Sequence, residues 1–64
     1  MDFKKLNEKR KLYNTLILNK LYDILDKNPD LRFNQIMYIV NGTDDHFNEE
    51  PWVTLKRINE KFPS

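Results

Sequence analysis

Cysteine is absent from the sequence, and glycine, histidine and serine each occur only once. A chain without thiols has neither disulfides nor thiolate metal sites to supplement its core. The only serine, Ser64, is the last residue of the sequence, so a Ser/His/Asp arrangement has no plausible nucleophile. A Gly-rich loop for phosphate binding is also missing. We therefore expect a protein that is not an enzyme and that has no cofactor.

Long apolar runs are equally absent. No segment approaches the roughly 18 consecutive apolar residues of a membrane span, and the first residues lack the apolar region of a signal peptide. Together with the missing cysteine, these features predict a cytoplasmic protein that does not bind membranes. Hydrophobic residues nevertheless make up 39% of the chain, which favours a folded domain over disorder.

The length of 64 residues allows a single domain, residues 1–64, with a marginal core. Its charge is unevenly distributed. Residues 1–20 carry six Lys or Arg against two Asp or Glu, whereas residues 21–64 carry five against eight. The basic start could attract nucleic acid, but ends of opposite charge can also pair within one molecule or between two copies. We favour the pairing.

The first helix is predicted to run from Asp2 or Phe3 to Lys27. Residues 12–25 are apolar over more than half of the helix circumference, which suits a helix that packs against two partners. Residues 1–11 are basic and have little apolar surface, so this start is expected to fray or to project. The central apolar stripe follows helical spacing: Phe3, Leu6, Tyr13, Ile17, Leu21 and Ile24.

Asn28-Pro29 predicts the end of this helix, because proline disfavours the helical conformation of the residue before it. The second helix is predicted to begin with Asp30 as N-cap, with Asn34 as the competing cap. Gly42 is placed for a left-handed C-cap. The apolar positions between these limits are Leu31, Phe33, Ile36, Met37, Ile39 and Val40.

The third helix is predicted to follow a loop over residues 43–48, in which Phe47 is expected to pack onto the core. Asn48 or Asp45 is the predicted N-cap, and Pro51 suits the first turn. Together the patterns predict an all-α fold, a small three-helix domain in which a long first helix is followed by two shorter helices. The inward positions of the third helix are Leu55, Ile58 and Phe62, with Trp52 at their edge.

The acidic loop is the nearest approach to a metal site in the sequence. Its spacing matches neither the calcium-binding loop nor the HExxH zinc motif. We interpret the carboxylates as solubilising charges and as compensation for the dipole of the third helix, and we predict no metal. The residues considered are Asp44, Asp45, His46, Glu49 and Glu50.

Two kinds of partner follow from the remaining surface residues. Lys4, Arg10 and Lys11 share a broad helix face that could follow a phosphate backbone. Two glutamates at the start of the third helix and a pI of about 8.0 make nucleic acid the alternative rather than the preferred partner. The apolar and aromatic residues exceed what one small core can bury, which favours a protein partner, with a homodimer as one form of it. The predicted contact residues are Arg32, Tyr38 and Trp52, with Leu12 and Leu16 if the first helix self-associates.

The segments "KNPDLRFNQIMYIV" and "DDHFNEEPWVTLKRI" resemble a group of small uncharacterised proteins of low-GC Gram-positive bacteria, their phages and prophages. The group has a Pro-Asp-Leu-Arg-(Phe/Leu)-Gly-Gln pattern, and the likeness covers residues 27–58. Asn34 departs from it where glycine is usual, and His46-Phe47 replaces a Pro-Phe-Tyr-like element. The resemblance implies a phage-associated protein that binds, inhibits or adapts a host protein. The matching residues are Pro29, Asp30, Leu31, Arg32, Phe33 and Gln35.

Arg32 has no clear role in this scheme. Its charge opposes the dipole in the first turn of the predicted second helix. We predict that it clamps a carboxylate of the acidic loop (Asp44, Asp45, Glu49 or Glu50), in preference to a direct contact with a partner.

Overall fold

The computed structural model describes residues 2–63 of the chain. Met1 and Ser64 lie outside the described residues, and so does the expectation about a serine nucleophile, which concerns Ser64. Three α-helices account for the regular structure of the described residues, and this confirms the predicted all-α fold. They are α1 (Phe3–Lys27), α2 (Phe33–Asn41) and α3 (Pro51–Lys61).

Helix α1 has the limits that the local sequence predicts. Asp2 is its N-cap, and one carboxylate oxygen accepts the backbone N–H groups of Lys4 at 3.0 Å and Lys5 at 3.3 Å. Asn28 closes the other end, where its backbone and side-chain amides both donate to the carbonyl of Ile24. The helix is continuous through its basic start.

The predicted N-caps of α2 were wrong. The N-cap is Arg32 rather than Asp30 or Asn34, and the helix begins at Phe33. The decisive bond comes from Gln35, whose side-chain oxygen accepts the backbone N–H of Arg32 at 2.8 Å. A guanidinium has no acceptor, so this bond is the only half of a capping box that Arg32 allows.

The loop between α2 and α3 also differs from its prediction. Gly42 is the C-cap of α2 and has the expected positive φ of 62°, although its ψ of −139° lies outside the left-handed helical region. Pro51 is the first residue of α3, as predicted. The N-cap, however, is Glu50 rather than Asn48 or Asp45. Asp45 instead accepts the backbone N–H of Phe47 at 2.8 Å.

Helices α1 and α3 run in the same direction. At one end Tyr13 of α1 lies against Trp52 of α3, and at the other Ile24 and Phe62 line one concavity. Helix α2 connects to α3 through its last turn, where the carbonyl of Val40 accepts a hydrogen bond from Arg57 of α3. The result is an elongated molecule of 43 × 23 × 16 Å whose long dimension follows α1.

Five buried side chains form the core of the described residues. They are Leu21, Ile24, Ile36, Val40 and Ile58. Ile17, Leu25, Leu31, Met37 and Phe62 pack around them. Four residues at predicted apolar positions are exposed instead. Phe3 precedes the part of α1 that α3 covers, Phe33 is the first residue of α2, and Phe47 lies in a tight turn. Ile39 of α2 is the fourth.

Candidate interaction surface

Arg57 joins α3 to the end of α2 and to the acidic loop. Its Nε donates to the carbonyl of Val40 at 3.0 Å, and its two terminal nitrogens donate to Asn41 Oδ1 at 2.7 Å and Glu49 Oε2 at 2.6 Å. A cation also suits the free carbonyls at a helix C-terminus. All three guanidinium nitrogens are therefore used within the molecule.

Glu49 is the acceptor at the centre of this cluster. Its Oε1 accepts the hydroxyl of Thr54 at 2.6 Å, and its Oε2 lies 3.2 Å from Nδ1 of His46. The other ring nitrogen of His46 lies 3.2 Å from the carbonyl of Asn41. The hydrogen bond from Arg57 is the main cause that lowers the pKa of Glu49 to about 2, against the opposing effect of burial. We call Asn41, His46, Glu49, Thr54 and Arg57 the closed corner.

Glu50 binds a different arginine. Arg10 of α1 donates from Nε at 2.9 Å and from Nη2 at 2.7 Å to the two carboxylate oxygens, which is bidentate geometry. These hydrogen bonds lower the pKa of Glu50. The pair fixes the start of α3 against the basic half of α1, so the prediction that opposite charges pair within one molecule is confirmed for these two residues.

Trp52 lies against α1 rather than free on the surface. The ammonium of Lys9 lies 3.9 Å from the centre of its ring, and the ring of Tyr13 meets it edge-on at a centroid distance of 5.9 Å. The predicted partner residue Trp52 therefore has a role in packing α3 onto α1. Lys9 and Arg10, two members of the basic run, are bound to α3 in the same region.

Arg32 does not clamp a carboxylate, and that prediction was wrong. Within residues 2–63 its guanidinium makes no hydrogen bond and no ion pair, and it is exposed. The arginines that hold the acidic loop are Arg57 and Arg10. No spacing rule for helices links Glu49 to Arg57, since Glu49 precedes the helix, and the bond depends on how the loop returns to α3.

The apolar surface is large for so small a core. Among the described residues ten large hydrophobic side chains are exposed, against five that are buried. Four of them lie within residues 12–22 of α1: Leu12, Leu16, Leu18 and Tyr22. Leu12 and Leu16 were predicted as contact residues. Tyr38 on α2 is exposed as expected.

The acidic loop offers no metal centre in the described part of the chain, where no three His, Asp or Glu side chains are grouped to hold an ion. Glu49 and Glu50, two of its carboxylates, are each bound to an arginine. A concavity of about 440 Å³ is an open groove along α3 lined by Trp52, Leu55, Lys56, Asn59 and Glu60.

Comparison with protein-family models, with curated proteins and with solved structures finds no match for this chain. The resemblance to the phage-associated group therefore stays a prediction from the sequence. Within residues 2–63, no helix is long and apolar enough to cross a membrane.

Proposed function

We propose that this protein is a small non-catalytic module that works in the cytoplasm by occupying a surface of a protein partner. The observation that carries the proposal is the balance of apolar residues, with twice as many large hydrophobic side chains exposed as buried among residues 2–63. Exposed apolar patches on small proteins mark interaction sites. A phage or prophage origin, with the partner a host protein, is the context that the sequence resemblance predicts.

The test is affinity capture on the immobilised full-length chain from a nuclease-treated lysate of a low-GC Gram-positive bacterium. The matched control is Ile58→Asp, which places a charge in the core and unfolds the chain. We expect a protein that the folded chain retains and the unfolded control does not. Retention of the same proteins by both, or of none by either, would contradict the proposal.

A homodimer is one form that this binding can take. The exposed leucines and tyrosine of α1 lie between Leu12 and Tyr22, about 15 Å of helix at 1.5 Å per residue, which a second copy of α1 can cover. Sedimentation equilibrium distinguishes this form, because a dimer has twice the 7.8 kDa mass of the chain. The mass of one chain at tens of micromolar would rule out a stable homodimer, and Leu16→Asp should lower the mass of a dimer.

Nucleic-acid binding is the second candidate. It is favoured by the exposed side chains of Lys4 and Lys11, which make no ion pair within residues 2–63. Arg10, the third predicted phosphate contact, is bound to Glu50. A mobility shift at low salt that disappears by about 200 mM salt would support phosphate contacts, and no shift at any salt would exclude them.

A further inference from the structure

Phe47 is the most exposed large hydrophobic side chain of the described residues, with 88% of its surface accessible. Its exposure follows from the local backbone. The N–H of Glu49 donates to the carbonyl of His46 at 3.0 Å, which closes a turn with Phe47 and Asn48 at its centre. The N–H of Phe47 donates to Asp45 Oδ1 at 2.8 Å, so the residue before the turn is fixed as well.

Both ends of this turn are tied to helices. The ring of His46 lies between the carbonyl of Asn41, at the end of α2, and the carboxylate of Glu49. Glu49 is bonded to Arg57 and Thr54 of α3. The closed corner therefore holds the turn in place. Because Phe47 is already held outward, the loop needs no further ordering when a partner binds.

Phe47 itself lines one concavity of the molecule, and the other lining residues give its ring little apolar cover. It has a volume of about 370 Å³ and is lined largely by polar side chains, among them Arg10, Asn14 and Glu50. A phenyl ring placed there would lie against a bidentate ion pair instead of hydrophobic groups. This concavity therefore leaves the ring of Phe47 available for contact with another molecule.

The charge beside Phe47 is negative. Glu49 and Glu50 are each paired with an arginine, whereas Asp44 and Asp45 are exposed and make no ion pair within residues 2–63. Interfaces place charges opposite complementary charges, so the surface that receives Phe47 is expected to carry cations around its apolar centre. Aromatic side chains in such central pockets contribute much of the binding energy of an interface.

We propose that Phe47 is the anchoring side chain of this protein, and that its partner is a protein with an apolar pocket rimmed by lysine or arginine. The proposal rests on the function proposed above, because it names the residue and the partner chemistry of that contact. Asp44 and Asp45 orient the approach, and the closed corner holds the anchor in place.

The test repeats the lysate capture with matched variants of the full-length chain. Phe47→Ala removes the anchor, and Tyr38→Ala removes an exposed aromatic ring from α2 as the control. Neither residue is buried, so both variants are expected to keep the thermal unfolding curve of the original chain. Retention of a captured protein should fall at least about tenfold in Phe47→Ala and remain unchanged in Tyr38→Ala.

A second pair of measurements tests the basic rim. Asp44→Asn and Asp45→Asn each remove one charge, and asparagine can still accept the N–H of Phe47 at position 45. Retention should weaken in both, and it should fall as salt rises from about 50 to 300 mM for the original chain. Capture of a protein does not by itself support the role of Phe47 as the anchor. Only a retention that depends on Phe47 supports it.

The outcomes separate this inference from the proposed function. If Phe47→Ala retains the captured protein as well as the original chain does, the anchor is wrong and the binding function stands. If Phe47→Ala loses retention, but retention by the original chain is independent of salt and of Asp44 and Asp45, the prediction of a basic rim on the partner is wrong. If the folded chain captures nothing that the unfolded control does not, both proposals fail.

Discussion

Glu49 and Glu50 are neighbours in sequence, and each binds an arginine, but the two pairs lie in different surroundings. The side chains of Glu49 and Arg57 are 15% and 19% exposed, and further bonds connect them to His46, Thr54 and Asn41. Those of Glu50 and Arg10 are 32% and 43% exposed, and the pair stands at the basic half of α1. Because water competes with the more exposed pair, we expect the pair of Glu49 and Arg57 to contribute more to stability than the pair of Glu50 and Arg10.

The same difference extends to the regions that the pairs belong to. The closed corner adjoins the core, in which Val40 and Ile58 are fully covered. The half of α1 before Leu16 projects beyond that core and has Arg10, Lys9 and Tyr13 as its side-chain links to α3. We therefore expect substitutions to have large effects near the corner and small ones along the start of α1.

The largest effect is expected from Ile58→Ala. Ile58 is fully buried under the closed corner, and such a truncation costs about 2–5 kcal/mol, a large share of the stability of a small domain. Urea unfolding followed by circular dichroism measures the loss. Val53→Ala, at an exposed position of the same helix, is the control and should stay within about 0.5 kcal/mol of the original chain. Equal effects of the two would mean that the core is not where the structure places it.

The next prediction compares the two glutamates directly. Glu49→Gln leaves Arg57 without its anionic partner in a largely covered site and should lower the free energy of unfolding by about 1–3 kcal/mol. Glu50→Gln should cost distinctly less, because water can replace the partner of Arg10. Urea unfolding at neutral pH measures both variants. If Glu50→Gln is less stable than Glu49→Gln, the expected contrast between the two ion pairs is wrong.

Acid should destabilise the fold through the pair of Glu49 and Arg57. The pKa of Glu49 is lowered to about 2 from its ordinary 4.5, so its ionised form stabilises the fold above pH 4.5. That stabilisation is lost as the pH falls from about 4.5 to about 2. Unfolding free energies measured over this window should fall less steeply for Glu49→Gln than for the original chain. An unchanged slope in the variant would show that Glu49 is not the group that titrates.

A smaller effect is expected at the start of α1. Asp2→Ala removes the N-cap that accepts two backbone N–H groups and should cost about 0.5–1 kcal/mol, mainly as fraying of the first turn. Helical circular dichroism and amide exchange of the first residues measure it, and Asp2→Asn, which keeps the cap, is the control. A loss as large as that of Ile58→Ala would contradict the view that this region projects from the core.

The smallest effect is expected from Arg32→Ala. The guanidinium of Arg32 makes no bond within residues 2–63, so stability should stay within about 0.5 kcal/mol of that of the original chain. The backbone N–H of Arg32 still binds Gln35 in the variant. Thermal unfolding is a sufficient measurement. A clear loss would restore the predicted carboxylate clamp, whereas full stability leaves Arg32 available for a partner.

Local patterns in the sequence were sufficient for the fold class and for the limits of α1. Asp2, Asn28-Pro29 and Pro51 act on the residues next to them, and their effects do not depend on the rest of the chain. The three-residue and four-residue spacing of apolar side chains located the core positions Leu21, Ile24, Ile36, Val40 and Ile58. The prediction of the start of α2 was less accurate, because the bond to the N-cap backbone comes from Gln35 and the N-cap is not a preferred capping residue.

The candidate interaction surface could not be obtained in this way. Whether Phe47 is buried depends on the turn that His46 and Glu49 close, and that turn depends on Arg57 eight residues further along the chain. The sequence by itself determined the helices, since capping and periodicity are local. The tertiary structure decided which arginine binds which carboxylate and which aromatic ring remains outside, because those choices require residues from separate elements to meet.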